Sequence, residues 1–173
     1  MGTLTGKTAV VTGSTSGIGL AYARAFANAG ANIVLNGMGA PADIEKERSG
    51  IERDFKVRAV HSPADMTKPL EVAEMVGLGE KTFGSVDVLV NNAGIQHTAP
   101  VQDFPADRWD AIIAINLSAA FHATKAALPQ MLERNWAGSS RSPARTASWP
   151  APRNRPTSFS HASAASPLRP RSR

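Results

Sequence analysis

The sequence contains no cysteine, its one tyrosine is Tyr22, and no acidic residue follows Glu133. Without cysteine there are no disulfides, thiolate metal ligands or sulfur nucleophiles, which fits a reducing compartment. A single tyrosine confines any phenol-based proton transfer to one place. The missing acids split the charge: residues 1–136 carry 12 Lys plus Arg against 14 Asp plus Glu, whereas residues 137–173 carry 7 Arg and no acid. The formal charge of +5 therefore belongs to the tail. No apolar run approaches the roughly 20 residues that cross a bilayer, so no membrane partner is expected. Met1–Lys7 shows no charged region followed by an apolar stretch, so no secretory signal is expected and the expected compartment is the cytoplasm.

A chain of 173 residues has room for one core. Before Trp136, short apolar runs alternate with longer amphipathic segments, the pattern of a parallel sheet covered by helices. Four βα units are predicted. Thr8–Val11 reads as a buried strand and 17–29 as a helix stopped by Gly30. Residues 31–35 form a second strand, 43–54 a helix and 56–61 a third strand. Residues 67–83 form a third helix with Thr67 as its cap, and 86–90 a fourth strand. A long apolar-faced helix over 107–134, interrupted by Pro129, completes the set. A sheet that stops there leaves its fourth strand as a bare apolar edge. Residues 137–173, rich in Ser, Ala, Pro and Arg and without periodicity, cannot bury enough apolar surface to offset chain entropy and are expected to be disordered.

Between the first strand and helix stands Thr12-Gly13-Ser14-Thr15-Ser16-Gly17-Ile18-Gly19. Glycines let the backbone turn sharply and come close to a ligand, and the free amides of the following helix favour a pyrophosphate. A nucleoside-triphosphate loop is excluded because Leu20, not Lys, follows Gly19. Three further segments follow in order: Asp65-Met66 after the third strand, Asn91-Asn92-Ala93-Gly94 ending the fourth, and Asn116 within Ile115-Asn116-Leu117. Taken singly, each has a plain reading: a tight turn, a helix start, a loop, a satisfied helix polar group.

Together, in this order and spacing, they resemble the short-chain dehydrogenase/reductase family. The resemblance implies a Rossmann-type doubly wound parallel sheet, here incomplete, with residues 1–136 as a partial dinucleotide-binding domain and 137–173 as a basic tail. It implies cofactor contacts from Gly13, Thr15, Gly17, Ile18, Gly19, Asp65, Met66, Asn92, Ala93 and Gly94, with Asp65 hydrogen-bonding the adenine ring. Asn116 is implied as the helix asparagine that holds a water in the proton relay. The family is usually tetrameric, partly through the helix that should carry its Tyr and Lys, so the oligomer is not expected to carry over here.

Cofactor choice is read where the second strand ends. Leu35-Asn36-Gly37-Met38 carries no charge and Ser14-Thr15-Ser16 lacks a phosphate-binding cation, which points to NAD. Asn36 is a candidate ribose ligand or a turn residue. The stretch from Gly94-Ile95-Gln96-His97 through Trp109 to Phe121 resembles the branch of the family that acts on 3-hydroxybutyrate. That resemblance implies NAD-dependent interconversion of D-3-hydroxybutyrate and acetoacetate, with Gln96 on the substrate carboxylate. His97, a lone loop histidine, is given no role.

The family's chemistry needs a Tyr with a Lys four residues later, preceded by a Ser on the adjoining strand. Tyr22 is followed four residues on by Phe26, and no tyrosine precedes Lys125 within its helix, so the pair is absent. The tail offers an explanation through the genetic code. Codons made from the third base of one residue and the first two of the next turn Ala137–Thr146 into Arg-Ile-Ile-Thr-Ile-Ala-Ser-Ala-His, similar to the family's fifth strand and catalytic Ser. The same shift lets Pro156-Thr157 encode Tyr, while Ser160-His161 forbids the expected Lys. A frameshift near Trp136, with a second disturbance beyond Thr157, is therefore expected. A nucleic-acid role for the Arg-rich tail is not expected, since it offers only Trp149 and Phe159 for stacking.

Overall fold

A computed structural model describes residues 2–134 and the backbone of 138–140. Strands β1 (Thr8–Val11), β2 (Asn32–Asn36), β3 (Ala59–Ser62), β4 (Val88–Val90) and β5 (Gly138–Ser140) alternate with helices α1 (Gly17–Asn28), α2 (Pro41–Phe55), α3 (Pro69–Phe83), α4 (Ala106–Ile113) and α5 (Ala119–Glu133). All pairings are parallel and the strand order is β3-β2-β1-β4-β5. The order reverses between β1 and β4, the position where sheets of this kind open a crevice at their carboxyl ends.

Side chains alternate across a strand, and here each set finds its own helix layer. Ala9, Val11, Ile33, Leu35, Val88 and Val90 pack with Ala23 and Ala27 of α1 and Ile51 of α2. Val10, Val34 and Leu89 face the other way, against Val72, Met75 and Val76 of α3 and Ala123, Ala127 and Met131 of α5. The predicted doubly wound sheet is thus the observed one. Gly79, one of two glycines within α3, has a packing reason. A Cβ at Gly79 would lie 2.8 Å from Val86 Cγ2, so its absence lets α3 approach the sheet closely.

Four details depart from the sequence reading. The third strand starts at Ala59 rather than 56, because Lys56 ends α2 in a left-handed conformation at φ 58°. Thr67 does not cap α3; Lys68 occupies the cap position and Thr67 turns back onto Asp65. The last helix is α4 and α5 joined through a π-turn at Ala114–Ser118, which local periodicity does not reveal. The backbone of Gly138–Ser140 pairs with Val88–Val90, so the expected bare edge of β4 is covered there. Apart from that backbone, the expected disorder and basic character of 137–173 lie outside the described residues.

Residues Ala106–Glu133 form a continuous 28-residue helical run that meets the length and composition of a membrane span, contrary to the expectation from apolar runs. Ala119, Ala123, Ala127 and Met131 lie buried along one face of it, the last three packed with α3, while Trp109, Phe121, Leu128 and Leu132 are exposed. Its C-terminal end is pinned to the segment that leads into β4: Val86 N–H donates to Gln130 Oε1 at 3.1 Å and Arg134 Nη2 donates to the Val86 carbonyl at 2.8 Å. The buried Asp87 gathers the Thr8 amide, the Ser85 hydroxyl, Lys7 and Arg134 around one carboxylate. Such pairing offsets the desolvation that an isolated buried charge would suffer.

Candidate functional site

The crevice is built on the turn between β1 and α1. Gly13 takes φ 60°, and a Cβ there would lie 2.9 Å from Ala93 Cα. This close approach locks the turn against the segment leaving β4. The Thr12 hydroxyl is the hub of the junction: it donates to the Val90 carbonyl at 3.3 Å and accepts from Asn92 N and Ala93 N, both at 2.9 Å. Asn92 Nδ2 closes the clamp by donating to the Thr12 and Gly13 carbonyls at 2.9 and 3.0 Å. The expected cofactor residue Asn92 therefore acts on the turn itself. Thr12 was not among the sequence candidates, although its place directly before the first glycine was a usable signal.

Past the turn the chain is open. A Cβ at Gly17, φ 56°, would meet nothing within 4 Å, and Ile18 is exposed. Ser16 precedes α1 without a side-chain cap, and the first turn holds no acid. The opening amides of the helix are thus left without side-chain partners or a competing negative charge, as an anion at this end requires. Thr15 Oγ1 donates to the Met38 carbonyl at 3.2 Å, joining the turn to the loop after β2.

Asn36 is neither a ribose ligand nor a simple turn residue. It is fully buried, and its Oδ1 accepts from Gly13 N at 3.2 Å. Its Nδ2 donates to the Ser62 and Ala64 carbonyls at 3.2 and 3.0 Å. Both ends of the carboxamide are engaged, so one side chain fastens the glycine turn to the shoulder on which Asp65 stands. Ser14 adds to this joint, its hydroxyl donating to the Val11 carbonyl and accepting from Asn36 N.

Asp65 Oδ1 accepts from the Thr67 amide at 2.9 Å and the Thr67 hydroxyl at 2.8 Å. The Thr67 amide first, then its hydroxyl, hold the Asp65 carboxyl below the usual carboxylate range; burial opposes this and the Lys68 charge adds to it. A lowered folded value means that the stability Asp65 contributes is present above its unfolded pKa and is lost as pH falls through the folded one. In a carboxyl-carbon NMR titration Asp65 is expected to titrate below an unstructured Asp, remaining an acceptor across the neutral range; titration at or above the reference would contradict the turn geometry. Met66, beside it, packs partly buried against the α3 core.

On the other side of the crevice, Asn116 sits in the π-turn and pairs with Ile95 through both ends of its side chain. Ile95 N donates to Oδ1 at 2.9 Å and Nδ2 donates to the Ile95 carbonyl at 3.0 Å. Asn116 thereby holds the loop that follows Gly94. Gln96 and His97 are exposed on that loop. His97 is not a bare loop histidine: its ring meets Phe104 edge-on at 5.3 Å, and Phe104 meets Trp109 of α4 at 6.4 Å. The site thus has two halves, one joined through Thr12, Asn36 and Asn92 and the other through Asn116. Among the described residues no cluster of His, Asp or Glu could hold a metal ion.

The short chain dehydrogenase family model matches residues 7–139. The chain is 52% identical over 130 residues to a D-beta-hydroxybutyrate dehydrogenase of Rhizobium meliloti, covering 75% of this chain and 50% of that protein. It is 53% identical over 137 residues to the enzyme of that name from Cupriavidus necator, covering 77% and 51%. Among solved structures, L-sorbose reductase from Gluconobacter frateurii complexed with NADPH and L-sorbose matches with TM-score 0.72 at 32% identity, over 76% of this chain and 50% of that one. A short chain dehydrogenase from Burkholderia cenocepacia in complex with NADP matches with TM-score 0.69 at 35% identity, over 72% and 51%. The chain spans about half the length of the curated relatives it matches. The chain belongs to the short-chain dehydrogenase family.

Proposed function

We propose that residues 1–136, with the short strand Gly138–Ser140, are the dinucleotide-binding part of an NAD-dependent 3-hydroxybutyrate dehydrogenase lineage, that the rest of 137–173 is a basic tail, and that this chain binds NAD without oxidising hydroxy acid. The observation that carries the reading is the Asn36 joint. One buried carboxamide ties Gly13, at the pyrophosphate end, to Ala64, beside the adenine-reading Asp65. The residues fit the cofactor: α1 presents uncapped amides, and space stands open above Gly17.

In this reading Gly13, Thr15, Gly17, Ile18 and Gly19 receive the pyrophosphate, with backbone amides as donors and glycines leaving room for it. Asp65 accepts from the adenine amine and Met66 lines the same side. Asn92, Ala93 and Gly94 shape the crevice where the nicotinamide end lies. No Lys or Arg occurs between Leu35 and Asp43, so a 2′-phosphate would meet no cation on that loop, which supports NAD over NADP. Gln96 presents an amide to the substrate carboxylate, a recognition that needs no buried charge. Asn116 keeps Gln96 in place by clasping the preceding Ile95. The names of the two curated relatives support a hydroxybutyrate substrate class for the lineage.

A bound nicotinamide would supply the acceptor for the hydride leaving the alcohol carbon. The alcohol proton then needs a base, and this chain has no phenol beside an ammonium: Tyr22 lies within α1, packed against the sheet core. A positioned base contributes typically 10²–10⁴-fold, so turnover is expected to fall at least about a hundredfold below that of the Rhizobium meliloti relative. Calorimetric titration with NAD and a spectrophotometric assay with D-3-hydroxybutyrate check the two halves of the proposal. Binding with no measurable reduction is the expected pair of results. Reduction at the relative's rate would refute the inactive assignment, and absence of any NAD binding would refute the binding assignment.

A further inference from the structure

We propose that the Lys68–Glu71 ion pair sets how well Asp65 accepts a hydrogen bond from the adenine base, which makes Glu71 a positioning residue for the cofactor; the proposal rests on the NAD-binding reading above. Residues 65–68 form a turn closed by Lys68 N donating to the Asp65 carbonyl at 3.0 Å. Within it the two Asp65 oxygens are not equivalent. Oδ1 is taken by Thr67, whereas Oδ2 faces Lys68 Nζ at 3.9 Å, beyond hydrogen-bond reach. Oδ2 is therefore the oxygen left for an incoming amine, and Lys68 is the group positioned to compete for it.

Glu71 suppresses that competition. Its Oε1 accepts from Lys68 Nζ at 2.8 Å, holding the ammonium away from Asp65. Its Oε2 accepts from the Asp65 amide at 2.8 Å, fixing the backbone that carries the reading carboxylate. One side chain in the first turn of α3 thus restrains both the reader and its competitor. With Glu71 neutralised, the lysine's remaining carboxylate neighbour in this turn is Asp65 Oδ2, and a swing of its flexible stem brings the two together.

The test is titration of the full chain with NAD and with its hypoxanthine analogue, which presents a carbonyl oxygen where adenine presents an amine. Glu71→Gln keeps an acceptor for the Asp65 amide but releases Lys68. It is expected to weaken NAD binding about fivefold, the upper range for an exposed charge pair, and to narrow the preference for adenine over hypoxanthine. Lys68→Met added to Glu71→Gln is expected to restore that preference, because the competitor is gone. An unchanged preference in Glu71→Gln, or no recovery in the double variant, overturns the proposal. Should Glu71→Gln lose its circular dichroism, Lys68→Met alone decides: with the competitor already held off by Glu71 the preference must stay at the parent value, and a change in either direction overturns the proposal. Asp65→Asn separates the two levels. If it leaves the preference untouched, or if the parent chain does not bind NAD, the underlying adenine reading fails; if it alone moves the preference, only the role of the ion pair fails.

Discussion

Gly19→Ala is expected to abolish NAD binding and to destabilise the fold by about 3 kcal/mol or more, at the upper end of what overpacking costs. A Cβ at this position would overlap the Gly13 carbonyl and stand 2.5 Å from Asn92 Nδ2. Neither obstacle can yield cheaply. The carbonyl is backbone, and Asn92 Nδ2 is donating to the Thr12 and Gly13 carbonyls, so displacing it leaves two acceptors without their donor. Because the same clamp shapes the pyrophosphate turn, stability and affinity fall together, the latter by at least about a hundredfold, which corresponds to about 2.7 kcal/mol. Gly17→Ala is the internal control. Its Cβ would meet nothing within 4 Å, so only the backbone term of about 1–2 kcal/mol for a left-handed residue is expected in the unliganded chain. Thermal melting and calorimetry on both variants check the contrast; equal melting temperatures would contradict the packing at Gly19.

Asn36→Asp is expected to be nearly as damaging, although rules for cofactor preference would welcome an acid at the end of this strand. The carboxamide nitrogen it removes donates to the Ser62 and Ala64 carbonyls. A carboxylate oxygen in that place would turn two hydrogen bonds into contacts between acceptors in a fully buried position. Leaving two buried acceptors unmet costs about 1–3 kcal/mol each, and burying the new charge adds to it. The expected total is about 4 kcal/mol, read as an earlier urea midpoint, with NAD affinity lowered as Ala64 and the adjoining Asp65 lose their anchor. An unshifted midpoint with tighter NAD binding would return Asn36 to the role of ribose ligand.

These two positions show what the sequence makes legible and what it hides. The alternation of apolar strands with amphipathic helices and the glycine turn after the first strand are legible, because such patterns can be read locally, whereas the doubly wound order came from the family resemblance. The residues later found around the turn were also present as a motif. Their division of labour was not. Asn92 was expected at the cofactor and its side chain donates to the turn, while Asn36, read as a ribose ligand or a turn residue, joins two loops. Asparagine has a donor end and an acceptor end, and only tertiary neighbours decide which groups meet them. Thr12, Glu71 and Lys68 escaped for the same reason: each acts through partners that lie on another segment or depend on the shape of a turn. The π-turn was hidden because Ala-Ile-Asn-Leu-Ser has no residue that forbids an ordinary helix.

That wide turn fixes a phase. It seats one surplus residue between α4 and α5, and one residue of helix corresponds to about 100° of rotation, so the two halves present faces that a uniform helix could not show together. In this setting Ala123, Ala127 and Met131 join the core with α3 and the sheet, and Ala119 is buried in line with them. The grip of Asn116 on Ile95 is thus also a rotational stop, coupling the loop at the crevice to the angular position of the whole rod behind it.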